Sequence, residues 1–133
     1  IGDKKKNKVD NKSILELKTL ENKLKNFEGN FQTILPYIYT DSIIIMELKY
    51  KNEVKMFFID ENRTIGAIFR KFIKDNNIKN IDICKNLNIK NPSAINVYFN
   101  KIDQNKGRIN TFIDYCKAVN IDVNFKIVSK KES

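Results

Sequence analysis

Histidine is absent from this chain of 133 residues, cysteine occurs twice and glycine four times. Without histidine there is no Ser-His-Asp or Cys-His arrangement and no imidazole to act as a general base. The two thiols, Cys84 and Cys116, lack the further ligands of a structural zinc site. No export signal accompanies them, which disfavours a disulfide; both fit apolar helix faces as small buried residues. The glycines, at positions 2, 29, 66 and 107, are too scattered to form a phosphate-cradling loop. Long apolar runs are missing as well. The longest are residues 43–46 and 56–59, far short of a membrane span. The first thirteen residues are charged rather than apolar, so no signal peptide is read and a cytoplasmic location is expected. Beginning with Ile1, the chain reads as a fragment or processed product.

With 41% hydrophobic residues in 15.6 kDa, there is material for one domain and an appendage. The formal charge is +9 and the pI about 9.5, a balance that suits a polyanion: nucleic acid or an anionic membrane surface. That charge is uneven. Residues 64–129 hold 11 Lys/Arg against 5 Asp/Glu, whereas residues 13–63 hold 7 against 8. The remainder sits in the lysine run at positions 4–8 and in Lys130 and Lys131.

Hydrophobic spacing divides the chain further. Residues 1–12 read as a disordered basic arm, either lying along DNA or simply a mobile end. Leu17, Leu20, Leu24 and Phe27 recur at helical spacing, with Ser13 and Glu16 as a capping box and Gly29-Asn30 as the stop. The same spacing suits core packing or a short dimer contact. Residues 31–39 are ambiguous because Pro36 interrupts them. Residues 43–50 and 53–59 alternate as two strands of a hairpin closed by Lys51-Asn52. Residues 13–63 thus form a helix-plus-hairpin appendage, and residues 60–63 a linker.

Beyond it, Thr64 caps a helix striped by Ile65, Ile68, Phe69, Phe72 and Ile73. Ile81, Ile83, Cys84 and Leu87 define a second helix; Ile95, Tyr98, Phe99 and Ile102 the inner face of a third. Ile109, Phe112, Ile113, Cys116 and Val119 line a fourth, and Val123, Phe125 and Ile127 alternate as a last strand. Leu87-Asn88-Ile89 and Val119-Asn120-Ile121 are matching stops, because Asn tolerates the left-handed conformation at a helix C-terminus. Asn91-Pro92-Ser93 is a capped start, with Pro at a position that needs no donor.

Residues 64–128 resemble the lambda-repressor-like (XRE, or Cro/repressor) helix-turn-helix family. The family's second and third helices typically read Leu-Ala-x-x-Leu-Gly-Val, then a polar cap and a helix with Ile at spacing three. Here stand Ile83-Cys84-Lys85-Asn86-Leu87-Asn88-Ile89 and Lys90-Asn91-Pro92-Ser93-Ala94-Ile95. A later family pattern, Leu-x-x-Leu-Leu-x-x-Ala-x-Ala-Leu-Gly-Val, is matched without a gap by residues 109–121, from Ile109 and Phe112-Ile113 to Val119-Asn120-Ile121. Asn replaces Gly at both stops. The turn before the third helix is one residue longer, the loop after it about two longer, and Lys79-Asn80 stands where the family usually has Gln.

The resemblance implies a mainly α fold with a small β appendage: a lambda-repressor-like bundle preceded by an N-terminal helix and β-hairpin, and followed by a basic tail at 129–133. With Ile95, Tyr98 and Ile102 inward, Ser93, Asn96, Val97 and Asn100 turn outward, where such a helix meets base edges in the major groove. Asn96 suits adenine and Val97 a thymine methyl. Lys79, Asn80, Lys90, Asn91, Lys101, Lys106 and Arg108 are the candidate phosphate contacts. Double-stranded DNA and a second copy are the expected partners, with a possible protein partner at the appendage. No membrane, metal or cofactor is expected. Glu47-Leu48-Lys49 resembles the Glu-x-Lys element of restriction-type nucleases, for which Asp41 or Asp60 would complete a metal site. Glu and Lys on the wet face of a strand explain the same residues. A repressor-like, non-enzymatic regulator is therefore expected; the alternative is an antitoxin or inhibitor using the fold to hold a protein.

Overall fold

The computed structural model describes residues 15–130. The expected arm at 1–12, the Ser13 part of the capping box and the end of the basic tail lie outside them. Among the described residues are six helices and one three-stranded antiparallel sheet. Helix α1 covers residues 15–25. It is followed by α2 (Phe31–Asp41), β1 (Ser42–Tyr50), β2 (Glu53–Ile59) and α3 (Ile65–Asp75). Then come α4 (Asn80–Leu87), α5 (Ser93–Ile102), α6 (Ile109–Ala118) and β3 (Asp122–Ser129).

Asparagine punctuates the helices more often than the two expected stops. Asn77, Asn88, Asn105 and Asn120 all have positive φ, between 54° and 62°. After each, the next residue's N–H reaches back five positions: Ile78 to Ile73, Ile89 to Cys84, Lys106 to Lys101 and Ile121 to Cys116, at 2.8–3.0 Å. These are Schellman stops, with an apolar residue following in three of the four. Helix α1 ends in the same way but earlier than expected. Phe27 takes the left-handed position at φ 63°, and Glu28 N–H bonds Lys23 O at 2.8 Å. At the hairpin, Lys51 and Asn52 have φ 51° and 67°, the two positive angles of a type I′ turn. Thr64 caps α3 as expected, its hydroxyl accepting from Ala67 N–H at 3.1 Å.

Pro36 does not end α2. Phe31, Ile34, Leu35 and Ile38 are spaced i, i+3, i+4, i+7, and all four are buried. Burial of each contributes roughly 1.5–3 kcal/mol, which outweighs the ~3 kcal/mol of an interior proline. Ile81, expected among the apolar residues of α4, is instead 52% exposed. It lies roughly 110° around the helix from the centre of the stripe made by Ile83, Cys84 and Leu87.

The sheet order is β2-β1-β3, so the last strand joins the hairpin on its far side. Met46 at the centre faces Phe57 of β2 and Phe125 of β3. Pairing therefore bridges the boundary expected at residue 63. Ring contacts bridge it as well. Phe31 stands edge-to-face on Phe112 (5.9 Å) and Phe125 (6.4 Å) across it, and beyond it Phe69 meets Phe112 (5.1 Å) and Phe99 (5.7 Å) in the same way. Gly66 lets α3 touch the end of α5, since a Cβ there would stand 2.4 Å from Asp103 N. Backbone bonds from Phe31 N–H to Gly107 O and from Ile109 N–H to Gly29 O, both 2.9 Å, tie α2 to the loop before α6. Leu24 of α1 is fully buried in the core, and Leu17, Leu20 and Phe27 pack against it.

Candidate nucleic-acid interface

Helix α5 is anchored by Ile95, Tyr98, Phe99 and Ile102, all buried. Tyr98 is locked further: its hydroxyl donates to Arg108 O at 2.6 Å, and its ring meets Tyr115 edge-on at 5.0 Å. Burial drives the Tyr98 phenol far above its ordinary value, so it stays protonated and keeps donating. With the inner row fixed, Ser93, Asn96, Val97 and Asn100 all stand exposed, as expected from the spacing. Lys101, four residues after Val97, continues this face.

The N-terminal end of α5 is prepared locally. Pro92 already has helical angles (φ −59°, ψ −21°), and Asn91 Oδ1 accepts from Ser93 N–H at 3.1 Å. Asn91 thus serves the helix cap while its amide NH2 remains a donor. Lys90 is exposed beside it. At the start of α4, Lys79 is exposed and its backbone N–H bonds Asp82 Oδ2 at 3.1 Å. Its neighbour Asn80 reaches across to α5, donating from Nδ2 to Asn96 Oδ1 at 3.1 Å.

That amide pair orients the Asn96 side chain without exhausting it. Oδ1 keeps a second lone pair and Nδ2 keeps both protons, the acceptor and donor that an adenine edge requires. Asn100 is held from another direction. Arg70 of α3 grips Asp103 through Nε, at 2.9 Å and 3.0 Å to the two carboxylate oxygens, and lies over the Phe99 ring. Its Nη2 also reaches Asn100 Oδ1 at 3.4 Å. Local sequence patterns place Arg70 simply opposite the stripe of α3; nothing local signals a partner 33 residues away.

The cationic candidates fall into two groups. Lys79 and Lys90 belong to the α4 start and the turn before α5. Lys101, Lys106 and Arg108 rim a groove of about 360 Å³ between the end of α5 and the start of α6, floored by Tyr98 and Gly107. Gly107 has φ 101°, and a Cβ there would lie 3.0 Å from the Tyr98 ring.

The Glu-x-Lys residues lie elsewhere, on the outer face of the sheet. Glu47 takes Lys126 Nζ at 2.6 Å, and that hydrogen bond holds its carboxyl below the ordinary range. No three His, Cys, Asp or Glu among the described residues are grouped to hold a metal ion. Cys84 and Cys116 are free and buried, and burial pushes the Cys116 thiol well up, away from nucleophilic use. No helix among the described residues is long and apolar enough to cross a membrane. Comparison with family models, curated proteins and solved structures finds no match to this chain.

Proposed function

We propose that the chain is a sequence-specific double-stranded DNA-binding regulator of the lambda-repressor-like helix-turn-helix kind, with α4 and α5 as the helix-turn-helix. It acts in the cytoplasm as a repressor, two copies occupying a palindromic operator with half-sites about 34 Å apart. The observation that carries this reading is the outward row of α5. Three hydrogen-bonding side chains flank Val97, one of them oriented from the start of α4, on the half of the chain that holds most of the excess positive charge.

In this reading Ser93, Asn96, Val97 and Asn100 face base edges, and Asn96 bonds adenine in two-point fashion. Lys79, Asn80, Lys90, Asn91, Lys101, Lys106 and Arg108 hold phosphates, fixing register without reading sequence. The test is selection of duplexes from a randomised pool, followed by titration of the winner across salt. A palindrome bound at least about a thousandfold tighter than random duplex supports the reading. Weak, sequence-blind and steeply salt-dependent binding refutes it.

A further inference from the structure

Strands β2 and β3 are the two edges of the sheet, each paired on one side only. Their outward side chains differ sharply. On β3, Asp122, Asn124 and Lys126 precede Val128, the ordinary guarding of an edge by charge. On β2 the outward residues are Val54, Met56 and Phe58, which are 55%, 64% and 58% exposed. The register sets Ile45 beside Phe58 and Ile43 beside Val128. Those six side chains make one apolar area on the face turned away from the helices. On its polar side the charges are already matched: Glu47 pairs with Lys126, and Lys49 stands opposite Asp122.

We propose that this face docks a second copy of the chain, sheet against sheet. Charge argues for that occupant. The charged side chains of this face, Glu47 and Asp122 against Lys49 and Lys126, sum to zero in a chain of +9, so two copies approach here with little repulsion. The face presents no unmatched cluster of cations for a polyanion. Its apolar centre and balanced rim have the anatomy of a protein interface. Area sets the strength. Three strands about 4.8 Å apart and about 27 Å long span roughly 390 Å² per copy. Two such faces lie below the ~1,200 Å² of an ordinary stable interface, so the dimer is weak and concentration-dependent. The inference deepens the operator reading, on which it rests for its purpose, since a palindrome requires two copies.

Sedimentation velocity without DNA tests it, from about 1 µM to about 500 µM, the range expected for so small an interface. The chain is expected to move from the 15.6 kDa monomer towards twice that mass. Met56→Lys and, separately, Phe58→Lys should weaken association at least about tenfold while circular dichroism stays unchanged. Leu15→Lys, on α1 and 66% exposed, should leave it intact. A monomer at the highest concentration overturns the proposal, as does a dimer indifferent to both sheet variants or dissolved by Leu15→Lys. A monomer that still selects one duplex would end this inference and leave DNA recognition standing.

Discussion

Of the six exposed residues of α5, Ser93, Asn96, Asn100 and Lys101 carry hydrogen-bonding side chains, and only Ala94 and Val97 are apolar. On β2 all three outward side chains are apolar, Val54, Met56 and Phe58. The inward sides of the two elements serve the same core: Phe99 from α5, Ile59 from β2 and Phe57 packed against them. The inner rows are interchangeable in kind, because any apolar side chain of the right size is stabilised by burial. The outer rows are free of that demand. Their opposite chemistry is therefore what the two proposals rest on, a hydrated polar ligand for α5 and an apolar one for the sheet.

The strongest way to break the comparison is to remove what both surfaces share. Phe112→Ala takes away a fully buried ring that contacts Phe31 and Phe69. It should cost about 3–5 kcal/mol in a denaturant melt and abolish DNA binding and self-association together. Asn96→Ala acts on one surface only. Specific binding should weaken by about 1–3 kcal/mol with relaxed preference at one base pair, and with sedimentation unchanged. Thr64→Ala removes a cap remote from both outer rows. It should lower stability by about 1 kcal/mol in the same melt and leave both binding activities as they were. Lys90→Ala is the mildest. Affinity should fall alike for specific and random duplex, and the logarithmic salt slope should shrink by about one.

Sequence patterns were informative where the structure is local. The stops at Asn88 and Asn120, the Thr64 cap, the Lys51-Asn52 hairpin and the inner row of α5 each depend on neighbours within a few residues. Asn77 and Asn105 make the same kind of stop, but only their positive φ separates them from other asparagines in a chain rich in that residue. Helix α2 was obscured by Pro36, although its stripe of Phe31, Ile34, Leu35 and Ile38 is regular; tertiary burial decides the matter, not local propensity. Alternation marked β3 as a strand yet carried no information about its partner, so its place beside β1 was hidden. The candidate site divides in the same way. Exposure of Ser93, Asn96, Val97 and Asn100 follows from helical spacing. The Asn80–Asn96 bond and the Arg70 grip on Asp103 arise from packing between helices and leave no trace in periodicity.

The most direct measurement is an amide NMR map of the chain, first diluted without DNA and then titrated with its selected duplex. Dilution should move resonances of Val54, Met56 and Phe58, and the duplex should move those of Ser93, Asn96, Val97 and Asn100 together with Asn80. Duplex-induced shifts confined to scattered lysines, with α5 silent, would contradict the assignment of α5 as the reading surface.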